Sequence, residues 1–212
     1  MYEVSRKEII SYGIKMIDEG LTFGAGGNLS IRTDSGVLIT PSGIEYSNLH
    51  SGDIVHMKFN GEILHGYFKP SSEFQLHSEI YKKRKDIGAI IHTHSKYISV
   101  LAAKGEDLKA AYYLVAESGD SIVRVAPYET YGTEKLAFEA VEYLENRKAV
   151  ILANHGLVAC GKNIKEAYSI ARDLEFCAFV QIMASISGKV NIIPDEKINE
   201  LIEKFSHHGQ KR

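Results

Sequence analysis

Between Val4 and Glu19 the apolar residues Ile9, Ile10, Ile14, Met16 and Ile17 recur at helical spacing, and Gly20 follows them. That pattern predicts an amphipathic helix ending at the glycine. From Asn28 the period changes. "NLSIRT", "GVLIT", "DIVHMKF" and "GEILHG" are short runs of strand character, separated by "DSG", "PSG" and "NG" turn signals. The spacing predicts a helix over Ser72–Arg84, a short buried strand in "IGAIIHTH" and a helix over Ser95–Lys104 with Ser95 as its N-cap. "SIVRVA" reads as one strand and Thr133–Asn146 as a helix. "AVILANHGLVACG" reads as two strands hinged at Asn154-His155-Gly156. A long helix over Ile164–Ser187 and a short one over Asp195–Phe205 complete the chain. No repeat, linker or low-complexity tract interrupts this order, which predicts one α/β domain over residues 1–212 with helices covering a β-rich middle.

Composition narrows the function classes. The 212 residues are 44% hydrophobic and 25% charged, with a formal net charge of -2, as in an ordinary globular protein with no nucleic-acid or anionic-membrane surface. The one basic run, "KKRKD", reads as a solvated helix end. Cys160 and Cys177 are far apart in apolar surroundings and predict packed thiols in a reducing compartment. There is neither a signal-peptide pattern nor an apolar run of the roughly 20 residues that span a bilayer, so the expected location is the cytoplasm.

The candidate chemistry starts at "AIIHTHS". Side chains two apart on a strand project to one side, so His92 and His94 can aim at one point beyond the strand end. His155 also follows a buried β-run, and Gly156 beside it permits a tight turn. Three imidazoles with an open position are a recurring catalytic zinc arrangement. Glu73, in "KPSSEFQLH", stands in the first turn of a helix, where its charge suits the helix dipole and can face a cleft. His77, one turn on, shares that helix face and could be imagined as a ligand, but the three histidines already supply the site. His50, His56 and His65 read as solvated, and His207 and His208 as mobile tail residues.

Three donor-rich turns surround these residues. "FGAGGNLS" lacks the strand–loop–helix order of a dinucleotide fingerprint, yet its glycines can expose backbone N–H groups as an anion nest, with Asn28 adding a side-chain donor. "ITPSGIEY" supplies Thr40, Ser42 and Gly43, and Ser71 and Ser72 open a helix, where phosphate binds readily. With few clustered Lys and Arg nearby, these turns predict a small phosphorylated substrate.

In this order, "GNLSIR", "LITPSGI", "PSSE", "HTHS", "APYETYGT" and "NHGLVACG" resemble the class II aldolase and adducin family, typified by L-fuculose-1-phosphate aldolase, over nearly the whole chain. The resemblance implies a single domain with a central, mainly antiparallel sheet covered by helices. It also implies a homotetramer with one zinc per subunit, cleaving a ketose 1-phosphate to dihydroxyacetone phosphate and an aldehyde. For the type enzyme these are L-fuculose 1-phosphate and L-lactaldehyde, in fucose degradation. His92, His94 and His155 match the zinc ligands. Glu73 matches the carboxylate that lies at the metal and then swings off as acid/base. Gly27, Asn28, Thr40, Gly43, Ser71 and Ser72 match the phosphate pocket; Tyr131 falls at an aromatic wall. Tyr113 matches a tyrosine that enters the neighbouring subunit's site to handle the aldehyde oxygen's proton.

The tail "EKFSHHGQKR" departs from the type enzyme, which has a tyrosine there, and Asn154 replaces a further histidine. The same fold also serves deoxypentulose-phosphate aldolases, sugar-phosphate dehydratases and pentulose-5-phosphate 4-epimerases. The epimerases tend to carry aspartate where Glu73 stands. Adducin-like interaction domains lose the three histidines kept here.

Overall fold

A computed structural model of the chain describes residues 2–207. Its strands are β1 (Asn28–Thr33), β2 (Gly36–Ile39), β3 (Val55–Met57), β4 (Ile63–His65), β5 (Ala89–Thr93), β6 (Leu108–Lys109), β7 (Ile122–Val123), β8 (Val125–Ala126), β9 (Ala149–Leu152) and β10 (Gly156–Gly161). Its helices are α1 (Glu3–Asp18), α2 (Phe74–Lys83), α3 (Lys96–Lys104), α4 (Glu134–Leu144), α5 (Ile164–Ser187) and α6 (Asp195–His207). Eight strands form one sheet in the order β4-β3-β2-β1-β5-β10-β9-β8, antiparallel except where β8 runs parallel to β9; β6 and β7 pair separately. The expected α/β domain with a mainly antiparallel sheet is what forms.

Helices cover both faces. Val37, Ile39, Ile90, Val150 and Val158 pack against Leu76 and Ile80 of α2 and Leu136 and Ala140 of α4. On the other face Leu29, Leu38, Ala89 and Ile91 meet α1 at Ile9 and Met16. Ile151, Leu157 and Ala159 meet α3 at Ile98 and Leu101 and α5 at Ile170 and Leu174. Alternation along β5 therefore places His92, like Ile90, on the α2 side. Cys160 and Cys177 are buried free thiols whose pKa values burial pushes up to about 12. Among the described residues no helix is long and apolar enough to cross a membrane.

Several local expectations are corrected. "SIVRVA" splits into β7 and β8, because the Asp107 carboxylate takes the Val125 N–H at 2.8 Å while β8 turns to β9. The 3₁₀ turns at Tyr46–Asn48, Ser51–Asp53 and Tyr113–Ser118 carry no strong periodic signal and were not foreseen. His56 is buried, with Thr33 and Ser35 hydroxyls 3.1 and 3.2 Å from its Nε2, whereas His50 and His65 are exposed as expected. In "KKRKD" the lysines are solvated, but the Arg84 guanidinium donates to the Glu145 and Arg147 carbonyls. His208 and the tail beyond it, and the side chain of His207, lie outside the described residues.

Ser95 occupies the N-cap position of α3, yet its hydroxyl makes no capping bond. The cap comes from α5 instead: the Glu175 carboxylate accepts from Tyr97 N–H at 2.9 Å and Ile98 N–H at 3.0 Å. A charge at a helix start, doubly hydrogen-bonded and partly buried, contributes more than a neutral hydroxyl cap. Glu175→Ala is expected to destabilise the fold by about 1–3 kcal/mol, against about 1 kcal/mol for Asn163→Ala at the cap of α5. Urea unfolding with equal m-values checks the order; equal midpoints for the two variants would refute it.

Candidate metal centre

β1, β5 and β10 lie side by side, with Asn28 opposite His92 and His92 opposite Val158. This register carries His92 and His94 to the sheet end where the β9–β10 turn presents His155. The turn is tight: Asn154 has a φ of 55°, a left-handed conformation that Asn tolerates. Two glycines let the flanking chains close on β5. A Cβ on Gly27, whose φ is +70°, would come within 2.5 Å of the His92 carbonyl oxygen, and one on Gly156 would collide with that of Thr93.

The three rings converge as their spacing predicts. His92 Nε2 lies 2.9 Å from His94 Nε2 and 3.2 Å from His155 Nε2. The His92 Nδ1–H donates to the Leu157 carbonyl at 2.9 Å, which fixes the tautomer and turns the Nε2 lone pair to the centre. Burial, then the neighbouring rings His94 and His155, hold His92 well below the usual imidazole range; burial, then His155, lowers His94 to about 4. With the His92 lone pair turned toward the other two Nε2 atoms, three lone pairs can converge on one cation.

Glu73 stands over this cluster. It sits at the N-terminal boundary of α2, where Phe74 N–H bonds the Ser71 carbonyl and Glu73 N–H the Ser71 hydroxyl. Its Oε2 is 3.3 Å from His92 Nε2, its Oε1 is 3.6 Å from His155 Nε2, and the residue is buried. Oε2 accepts from Asn28 Nδ2 at 2.9 Å, while Oε1 is buried with no hydrogen-bond partner. Burial raises the Glu73 pKa, opposed by the charge of His155 and the Asn28 bond. An orphaned carboxylate oxygen beside three imidazoles, with His92 and His94 kept neutral by burial, fits a divalent cation. The nitrogen spacing fits too: ligands ~2.0–2.1 Å from a tetrahedral zinc lie roughly 3.3 Å apart. His92, His94 and His155 could therefore hold a metal.

A cavity of about 240 Å³ opens above the cluster, with Glu73, His94 and His155 on its floor. Gly26, Gly27 and Asn28 form one wall, and Ser42, Gly43, Ser71 and Ser72 another. The second wall is braced: Ser71 N–H donates to the Thr40 carbonyl at 2.9 Å, and Ser42 N–H to that of Lys69 at 3.0 Å. Most residues expected at the phosphate thus share one cavity. Thr40 lies beneath it, buried, its hydroxyl taken by Leu29 N–H at 3.3 Å. Tyr131 is 66% exposed at the cavity rim. Tyr113 does not line the cavity of its own chain; its half-exposed ring packs on Tyr112 and Phe205.

His77, considered as a possible ligand, lies behind the cluster. It is fully buried, 2.5 Å from Asn28 Oδ1 through Nε2 and 2.6 Å from Ser30 Oγ through Nδ1, and burial pushes its pKa down to about 3. Ser30 and Tyr81, which continue this network, were not foreseen. The available signal was positional: Asn28 and Ser30 are two apart on a strand, and Glu73, His77 and Tyr81 four apart on one helix face.

Comparison with known proteins agrees with this geometry. The profile of the family described as Class II Aldolase and Adducin N-terminal domain matches residues 7–182. The chain is 44% identical over 213 positions to 5-deoxy-D-ribulose 1-phosphate aldolase of Bacillus thuringiensis serovar kurstaki, covering 100% of both chains. It is 35% identical over 204 positions to L-fuculose phosphate aldolase of Escherichia coli K12, covering 96% of this chain and 94% of that one. A solved structure of an L-fuculose 1-phosphate aldolase superposes with a TM-score of 0.93 at 42% identity, covering 95% of each chain. With this histidine cluster on this sheet, and aldolases as relatives along its whole length, the chain belongs to the class II aldolase and adducin family, as one of its metal-dependent lyases.

Proposed function

We propose that this chain cleaves a 1-phosphorylated deoxyketose between C3 and C4, releasing dihydroxyacetone phosphate and a short aldehyde that ends in a methyl group. The observation that carries the reading is Glu73, buried with an unpartnered oxygen against three imidazoles at the floor of a donor-rich cavity. Two substrates stand level. L-fuculose 1-phosphate would give L-lactaldehyde, and 5-deoxy-D-ribulose 1-phosphate would give acetaldehyde; both leave the same phosphorylated fragment. Identity does not separate the two, since a deoxyribulose-phosphate aldolase shares 44% of positions and two fuculose enzymes 42% and 35%, so the motifs' preference for fuculose is matched by the alternative.

In this reading His92, His94 and His155 hold one zinc per subunit, and three imidazoles favour zinc over harder cations. Bound there, the metal would supply Lewis-acid acceptance of the electron pair that leaves the C3–C4 bond. The chain's own groups do the rest. The turns at Gly27, Asn28, Gly43, Ser71 and Ser72 anchor the phosphate by hydrogen bonds. Glu73 is tethered only through Asn28, so it can leave the floor; its raised pKa suits it to deliver a proton to C3. The C4 hydroxyl loses its proton as the aldehyde forms, and Tyr113 of a neighbouring subunit is assigned that step within a homotetramer. Location of Tyr113 away from its own cavity supports an action in trans.

His155→Ala should abolish stoichiometric zinc and activity, whereas Glu73→Gln should retain zinc and lose solvent-proton exchange at C3 of dihydroxyacetone phosphate. Metal analysis and exchange by NMR read these directly, and full zinc in the first variant or wild-type exchange in the second overturns the assignment. In condensation assays, acetaldehyde and L-lactaldehyde should both be accepted within about 100-fold of each other, as expected where one polar carbon distinguishes them. Unphosphorylated dihydroxyacetone should be at least ~100-fold poorer than its phosphate, the loss of two charge-assisted hydrogen bonds; equal use would remove the phosphate pocket. Finally, the assembly should sediment as a tetramer, and Tyr113→Phe should lower cleavage without changing zinc content or mass. A fully active monomer would refute the trans role.

A further inference from the structure

We propose that His77 is a positioning residue whose Nε2–H tautomer fixes the orientation of the Asn28 carboxamide, so that its NH2 group, and not its carbonyl, faces the cavity. This rests on the reading of the surrounding turns as a phosphate pocket, but not on which sugar phosphate enters it.

The two ends of a carboxamide are nearly the same shape, so packing alone cannot orient Asn28; its hydrogen-bond partners must. Oδ1 lies 2.5 Å from His77 Nε2, and a carbonyl oxygen there requires a proton on that nitrogen. With its single proton on Nε2, the ring must accept at Nδ1, where Ser30 Oγ at 2.6 Å donates. The Tyr81 hydroxyl ends the chain, sharing its one proton between Ser30 Oγ at 2.8 Å and the Ser30 carbonyl at 3.1 Å. Each donor then has an acceptor, from Tyr81 to Glu73. Reversing Asn28 would point its carbonyl at the Glu73 carboxylate 2.9 Å away, two acceptors in contact. His77 has no solvent exposure and burial keeps it neutral, so the ring cannot donate at both nitrogens and loosen the arrangement.

The consequence is functional because Asn28 faces two anions in turn. With Glu73 over the histidines, the NH2 group holds that carboxylate. When Glu73 moves away, the same group is presented to the cavity, where a phosphate oxygen can accept from it. His77 reaches neither ligand directly.

Two measurements test this on the zinc-loaded enzyme. Long-range ¹H–¹⁵N spectra should show His77 protonated at Nε2 and unprotonated at Nδ1; a proton on Nδ1 overturns the proposal, whatever the substrate. Second, inorganic phosphate should bind about 10-fold more weakly to His77→Leu and nearly normally to His77→Gln, which restores an N–H at the Nε2 position, with zinc content unchanged in both. The loss in cleavage should lie in KM more than in kcat. Wild-type phosphate affinity in His77→Leu, or no rescue by Gln, overturns it. Should His77→Leu fail to fold, the wild-type tautomer and the Gln variant decide. If the wild-type enzyme binds no phosphate, the pocket fails, and the tautomer still decides whether His77 orients Asn28.

Discussion

Everything at this site depends on the register of three antiparallel strands. Asn28, His92 and Val158 lie in one row across β1, β5 and β10. Because side chains alternate along a strand, a one-residue slip of β5 would turn His92 toward α5 and put Thr93 at the centre. The apolar alternation fixes the register: Ala89 and Ile91 are committed to one core, Ile90 to the other. The catalytic geometry is thus held by hydrophobic burial some residues away from the chemistry. Gly27 and Gly156 are the local cost of that closeness, since only glycine fits where neighbouring backbones touch β5.

Placing imidazoles and a carboxylate in such a sheet end is unfavourable unless each polar atom is matched. The structure matches most of them in layers. Leu157 orients His92; Asn28 tethers Glu73; His77, Ser30 and Tyr81 stand behind Asn28. A few hydroxyls, Thr93 among them, stay unpartnered, but the one buried carboxylate oxygen left bare among the described residues is Glu73 Oε1, on the side of the three rings. A hydroxyl can turn its proton elsewhere, but a bare carboxylate oxygen facing three imidazole nitrogens marks where positive charge belongs.

How much of this could be read from the chain follows from the range of each signal. His92, His94 and the β5 strand were legible because period-two alternation is local, and His155 because a glycine turn follows a buried run. The long α5, bounded by Asn163 and Ser187, was read to the residue because its side-chain cap and apolar face are both local. What escaped depends on contacts distant in sequence. Glu175 caps a helix 78 residues away from it, so Ser95 looked like the cap. Asp107 diverts Val125 from the strand that "SIVRVA" suggested. His77 lay on the expected face of α2, but its partners Asn28 and Ser30 come from β1, and no spacing rule within α2 shows them.

The same distinction explains why the chemistry is better defined than the substrate. In the proposed reading, the ketone-phosphate half of the cavity is built within one chain, by strand ends and turns braced against each other, as between Thr40 and Ser71 or Ser42 and Lys69. Those features are backbone-determined, so relatives acting on different sugars can share them. The aldehyde half is assigned to Tyr131 at the rim and to Tyr113, an exposed ring packed on α6. An aldehyde of two or three carbons meets few such contacts, and each contributes only about 1–3 kcal/mol of discrimination. Small changes at a rim or a tail can therefore move specificity between a fuculose and a deoxyribulose phosphate while the histidines, Glu73 and the braced turns stay in place. On the proposed assignment, selectivity is decided where the chain is least constrained by its own sheet.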